Sequence, residues 1–248
     1  MFREDIQTMR LKALINSNFI NQEAFDLVKA GANPNVKNQE GDSLLHLLVK
    51  YNAFYRDSHN NLYIRALVNH YNADINQKNA AGMTPLQCLL CDIGFLTKDA
   101  MFLVRLGADP NSKNLEGDSL LHLLTKFNDF YRDDHNNIAI DELVQKHKAD
   151  INIVNLRGKT PLECMLDNIG FLTENAMLLV KLGANPNSKN SQGLSLLALL
   201  NQYNLYKRDY HNTEAIYKLK AIYAAGLIAD EKMEHASDEI HYPKLSIS

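Results

Sequence analysis

Three sets of residues have the types and spacing that could do chemistry. Ser43 and Ser119 each stand three residues before a histidine, His46 and His122, as a nucleophile and its base could. Cys88 and Cys91 have the C-x-x-C spacing of metal and redox sites, and Arg-Asp-x-His-Asn occurs three times, at 56–60, 132–136 and 208–212. A Ser-His pair becomes a hydrolase only with an orienting third group and a strained turn that exposes the hydroxyl, and neither serine sits in such a turn. The cysteine pair is joined only by Cys164, and the counterpart of Cys91 one copy later is Asp167, so buried small apolar residues are expected. Neither a nucleophile nor a further ligand travels with the Arg-Asp-x-His-Asn string. The expectation is no catalytic residue, no cofactor-binding residue and no metal ligand.

The same serines and histidines mark how the chain is organised. Gly41-Asp42-Ser43-Leu44-Leu45-His46-Leu47-Leu48 returns 76 residues later as Gly117-Asp118-Ser119-Leu120-Leu121-His122-Leu123-Leu124, and again, eroded, from Gly193 to Leu200. Between these copies, Gly82-Met83-Thr84-Pro85-Leu86 returns as Gly158-Lys159-Thr160-Pro161-Leu162, so units of 41 and 35 residues alternate. A period of this size means stacked supersecondary units. Residues 4–16 and 21–30 read as the first two helices, the second with apolar positions 24, 27 and 28 on one face and closed by Gly31. Thr84-Pro85 and Thr160-Pro161 open later helices, with proline where its missing N–H is harmless. Thr97 and Thr173 are placed to cap the helices that follow. No strand-like alternation of comparable length occurs.

Composition narrows the class further. With 26 basic against 29 acidic residues, a net charge of −3 and no basic block, the chain lacks the positive stripe that nucleic acid demands. Three cysteines argue against a disulfide framework and for a reducing, cytoplasm-type compartment. The acid-bearing start is unlike a secretory peptide, and no apolar run is long enough for membrane insertion. Asparagine is frequent in the turns, where it tolerates left-handed backbone.

From these motifs the chain resembles the ankyrin-repeat family across roughly residues 1–227. Gly82-Met83-Thr84-Pro85-Leu86 and Gly158-Lys159-Thr160-Pro161-Leu162 match that family's helix opening, and Gly107-Ala108-Asp109-Pro110-Asn111 and Gly183-Ala184-Asn185-Pro186-Asn187 match its closing turn. No unit carries the whole signature: Gln87 and Glu163 replace its histidine in the short units, and the long units replace Thr-Pro by Ser-Leu. The resemblance implies an all-α solenoid of helix-turn-helix units with projecting β-turn fingers. It divides the chain into an N-terminal capping repeat (1–38), an array of alternating units (39–228) and an acidic tail (229–248). It also implies that His46 and His122 tie neighbouring loops together, and that Asn35, Asn111 and Asn187 occupy positions hydroxylated in some members, although proline precedes each here. The long units carry eight residues beyond the family's ~33, inserted between the two helices as an enlarged rim.

The resemblance further implies a monomeric scaffold or adaptor that binds another protein on a concave face of fingers and first helices. The two full copies agree at 48 of 76 positions and diverge in the fingers. Lys78, Ala81, Met83, Glu116, Asp118, Val154, Arg157 and Lys159 are therefore the expected contacts. The second choice is the rim motif: Tyr55, Arg56, His59, Tyr131, Arg132, His135, Arg208 and His211, aromatic and arginine side chains being frequent interface anchors. Its structural alternative has Asp57, Asp133 and Asp209, or the asparagine after each histidine, capping the second helix. The tail is similar to the signals of bacterial effectors secreted into a host cytosol. The competing functions are an inhibitor that occludes another enzyme's site and an enzyme built on the rim Arg-Asp-x-His.

Overall fold

The computed structural model describes residues 5–17, 22–55, 60–91, 97–131, 134–167, 173–207 and 210–224. Among them are twelve helices: α1 (Ile6–Asn16), α2 (Gln22–Lys29), α3 (Leu44–Tyr55), α4 (Asn61–Tyr71), α5 (Pro85–Leu90), α6 (Thr97–Arg105), α7 (Leu120–Tyr131), α8 (Asp134–Gln145), α9 (Pro161–Leu166), α10 (Thr173–Lys181), α11 (Leu196–Lys207) and α12 (Tyr210–Ala224). No strand is present in these stretches, only the isolated bridges Lys113–Ser119 and Lys189–Ser195 inside two turns. The chain divides into two compact units, Met1–Leu196 and Leu197–Ser248. In the second, Ala215, Ile216 and Leu219 are the buried face of α12, and Lys218 pairs with Glu214 one turn away.

In the first unit the helices pair in sequence, α1 on α2, α3 on α4, α5 on α6, α7 on α8 and α9 on α10. The first helices also pack on one another, α3 on α5 and α7 on α9, as do the second helices, α2 on α4 and α6 on α8. Leucine dominates the resulting core: Leu44, Leu45, Leu67, Leu86, Leu89, Leu103, Leu120, Leu121 and Leu124 are buried almost completely. Each such side chain removed from water contributes about 1.5–3 kcal/mol.

Local chemistry explains where the helices start. In α5 and α9, Thr84 and Thr160 form capping boxes: each hydroxyl accepts the amide three residues on at 3.2 Å, and Gln87 and Glu163 reach back to the threonine amides at 2.8 and 2.9 Å. The family histidine's replacements are thus caps. Thr97 and Thr173, expected as caps, are instead the first residues of α6 and α10, so the capping positions fall outside the described residues. Asn60 precedes α4 but makes no capping bond; its backbone is helical, and its amide donates to Asn52 at 3.0 Å. Asp57, Asp133 and Asp209 lie outside the described residues.

The long-unit insertion differs from a simple rim loop. Residues 51–55 continue the helix, so α3 and α7 have 12 residues where α5 and α9 have 6. Tyr51 and Phe54 on the added turn are exposed, Phe54 by 76%, whereas Asn52 is buried and bonded to Asn60 and Asn61. A lengthened helix with one buried asparagine fixes the start of the second helix.

Candidate functional site

The fingers are built on asparagine. Asn79 Oδ1 accepts the amides of Ala81 and Met83, both at 3.0 Å, and Asn155 Oδ1 accepts those of Arg157 and Lys159 at 2.9 and 3.1 Å. Asn38, Asn114 and Asn190 do the same for amides two and four residues on. Each finger is therefore folded around one side-chain carbonyl before it meets its neighbour. The Leu156 amide then donates to the Glu116 carbonyl at 3.2 Å, Ala80 to Glu40 at 3.1 Å, and Lys113 Nζ to the Val154 carbonyl at 2.7 Å.

A second asparagine series joins the closing turns. Asn35 Oδ1 accepts the Asp74 amide, Asn76 the Asp109 amide, Asn111 the Asp150 amide and Asn152 the Asn185 amide, at 2.7–3.1 Å. Sequence reasoning took asparagine as a residue tolerant of turns and missed both series. The signal was the strict recurrence of Asn38, Asn79, Asn114, Asn155 and Asn190 at alternating spacings of 41 and 35.

The Ser-His pairs close a buried polar cluster beneath the fingers. His46 Nε2 lies 2.9 Å from the Met83 carbonyl, which can only accept, so Nε2 carries the proton and Nδ1 accepts from the Ser43 amide and hydroxyl at 3.2 and 2.9 Å. His122 repeats this with Ser119 and the Lys159 carbonyl. Burial pulls the His46 imidazole down from its ordinary value, against the opposing effect of the Met83 carbonyl. The ring is a neutral strut from each first helix to the next finger.

Asp42, His46 and Cys88, and again Asp118, His122 and Cys164, bring carboxylate, imidazole and thiol atoms within 4.8 Å of one another. These donor types could bind a divalent metal. The bonds present do not favour it. Both ring nitrogens are already used, and Asn79 and Asn155 donate to the two carboxylates at 2.8 Å and face the two thiols at 3.7 and 3.5 Å. Lys50 also pairs with Asp42. Burial pushes the Cys88 thiol up to about 11, Asp42 adding to it and Lys50 opposing it, so the thiolate a metal needs is disfavoured.

The expected finger contacts divide by exposure. Lys78, Ala81, Glu116, Val154 and Arg157 are exposed, and Met83 and Lys159 half-exposed. Asp118 is a correction: it is fully buried and accepts from Asn155, so it supports the finger from below and offers nothing to a partner. Lys159 is engaged as well, with Asp167 and the Ser191 hydroxyl. Although burial opposes it, these partners hold the Asp167 carboxyl below its ordinary value. Arg56, His59, Arg132 and Arg208 lie outside the described residues, as do the side chains of Tyr55, Tyr131, His135 and His211. Leu115 and Leu156, exposed by 75% and 79% on neighbouring fingers, were not foreseen.

These features, helices packed in sequential pairs with asparagine-keyed fingers and histidine struts, are those of an ankyrin-repeat fold. No family model matches the chain. Among curated proteins it is 33% identical over 90 residues to a protein of Rickettsia felis described as an ankyrin repeat protein, a match covering 36% of this chain and 38% of that protein. It is 32% identical over 87 residues to ankyrin repeat protein L92 of Acanthamoeba polyphaga mimivirus, covering 35% of this chain and 19% of the relative. The matched stretch thus spans well under half the length of either. A crystal structure of EF0377, an ankyrin repeat protein, superposes with a TM-score of 0.56 at 18% identity, covering 89% of this chain and 98% of that one. The chain has the ankyrin-repeat fold.

Proposed function

We propose that the chain is a non-catalytic protein-interaction module that holds its partner on the face formed by the fingers and the first helix of each pair. The observation that carries this is a contrast. The finger backbone is bound from within by Asn79, Asn114 and Asn155, while Lys78, Ala81, Glu116, Val154 and Arg157 project from it into solvent. A finger backbone already fixed before binding loses little entropy on binding. Between the two copies, Lys78 becomes Val154, Ala81 becomes Arg157 and Met83 becomes Lys159, so the exposed positions vary over a retained frame. Repeat folds of this kind generally serve as binding scaffolds.

A scaffold or adaptor role fits this arrangement, and an inhibitor that covers another enzyme's site would use the same face. A secreted-effector setting is supported by the acid-rich tail 229–248, which lies outside the described residues. No helix among the described residues is long and apolar enough to cross a membrane.

Affinity capture with the intact chain beside a Val154→Ser/Arg157→Ser variant, read by mass spectrometry, tests the proposal. Arg157 is chosen over Lys159 because it is not held by an ion pair among the described residues. A protein enriched by the intact chain and lost about tenfold with the variant, at unchanged melting temperature, supports the finger face. Equal retention moves the site to the rim around Arg56, Arg132 and Arg208, and capture of no protein overturns the binding reading.

A further inference from the structure

The 76-residue period puts the same three positions in two different chemical states. In the later copy Lys159, Asp167 and Ser191 satisfy one another: Lys159 meets both the Asp167 carboxylate and the Ser191 hydroxyl, and the Ser191 amide donates to Asp167 Oδ1 at 2.6 Å. One period earlier these positions are Met83, Cys91 and Leu115. There the Cys91 thiol lies 4.0 Å from the Met83 sulfur, both residues are half-exposed, and Leu115 is 75% exposed. The Leu115 amide has no acceptor among the described residues, whereas the corresponding amide of Gln39 has Asn16 Oδ1 at 3.0 Å and that of Ser191 has Asp167.

The next finger extends this patch. A Cβ placed on Gly117 would fall 2.8 Å from Leu156 Cγ, so the exposed Leu156 side chain lies against the finger that carries Leu115. Val154, 47% exposed, lies two residues from Leu156. Positive charge flanks the apolar strip: Lys78 and Arg157 are exposed, and no carboxylate among the described residues pairs with either. Glu116 is the one exposed acid within the segments 78–83, 113–116 and 154–159.

Deepening the protein-binding reading on which it rests, we infer that the strip from Met83, Cys91 and Leu115 to Leu156 docks an extended acidic segment of the partner that inserts one aliphatic side chain. A carboxylate or carbonyl of that segment takes the Leu115 amide, the role Asp167 plays for Ser191. Its other acids face Lys78 and Arg157. The aliphatic side chain covers Leu115 and Leu156 and rests on the two sulfurs, which are polarizable and adapt to varied shapes. The fingers themselves need not move, because the amides of Ala81, Met83, Glu116, Asp118, Arg157 and Lys159 are already bonded to asparagine.

The chain carries its own design for a blocked site. Met83→Lys/Cys91→Asp/Leu115→Ser gives the first copy the trio that the second copy already folds with. The probe is a fluorescein-labelled peptide with one leucine between paired aspartates, titrated by anisotropy. Saturable binding is expected, weakened at least tenfold by the triple variant, by replacing the leucine with serine, by replacing the aspartates with lysines, and by 0.5 M salt. Equal binding by the triple variant, preference for the lysine peptide, or no saturable binding overturns the inference. If the capture experiment retrieves its protein equally with the triple variant, this site fails while the protein-binding reading stands. Concentration-dependent self-association that the triple variant abolishes would assign the strip to a second copy of the chain and equally overturn it.

Discussion

Gly117 and Gly158 have nearly the same backbone, with φ of 77° and 72°, yet they answer to different constraints. A side chain at either is strained by about 1–2 kcal/mol, because Cβ crowds the following carbonyl in the left-handed region. At Gly158 nothing lies within 4 Å of an added Cβ. At Gly117 that atom would fall 2.5 Å from the Leu156 amide nitrogen, on the backbone of the next finger, where yielding would break the Leu156–Glu116 bond. Gly117→Ala should therefore destabilise by at least about 1 kcal/mol more than Gly158→Ala, the worth of one lost hydrogen bond. Urea denaturation of the two variants measures it, and equal midpoints would mean that the fingers do not pack as described. Single residues also show why the sequence misled at Asp118. A charged residue beside a finger glycine reads as exposed, and the bond from Asn155, 37 positions away, helps make its burial tolerable.

At the scale of elements, α6 and α8 are tied by a two-pronged ion pair. Arg105 Nε and Nη2 meet the two carboxylate oxygens of Glu142 at 2.8 and 2.7 Å, with His147 3.5 Å from the same carboxylate. The hydrogen bonds from Arg105 are the main reason that the Glu142 carboxyl is lowered to about 2. A carboxyl whose folded pKa is depressed stabilises the fold fully above its unfolded value, here 4.5, and loses that contribution as pH falls towards 2. The Arg105 side chain is 54% exposed, so solvent screening limits the pair to about 1 kcal/mol. Glu142→Gln should lower the melting temperature at pH 7 by a few degrees, and the difference from the parent chain should vanish between pH 4.5 and 2. A difference that persists at pH 2 would assign the effect to packing. Most of the element order was legible because its signals are local: Thr-Pro openings, glycine closes and apolar periodicity lie within a dozen residues of the helices they set. The added turn on α3 was not, because its string of aromatic and polar residues has no helical stripe, and what holds it is the contact of Asn52 with Asn60 and Asn61.

At the scale of the Met1–Leu196 unit, stability is a sum of repeats and of junctions between neighbours, and a junction weakened enough lets the array unfold in pieces. The junction between the α5–α6 and α7–α8 repeats holds through few named ties: Arg105 to Glu142, Asn111 to the Asp150 amide, and Gln87 to the Lys113 carbonyl at 3.1 Å. The junction between the first two repeats uses the equivalent Asn35, whose carbonyl oxygen takes the Asp74 amide at 2.7 Å. Glu142→Gln with Asn111→Ala removes two ties from one junction, and Glu142→Gln with Asn35→Ala removes one tie from each of two. Counted as bonds, the second loss is the larger, because the Asn35 side chain also donates to the Asn72 carbonyl at 3.0 Å. In a chain of nearest-neighbour couplings the distribution matters more: the first pair concentrates the loss at one boundary and should split the thermal transition in two, with amides on the α1–α6 side and the α7–α10 side exchanging in separate classes. The second pair should keep a single transition at a temperature lowered by about the sum of the two single effects, since sites this far apart add. Calorimetry with hydrogen exchange on both double variants separates these outcomes. A single transition in both would show that the first unit melts as one body and that its stability is not distributed junction by junction.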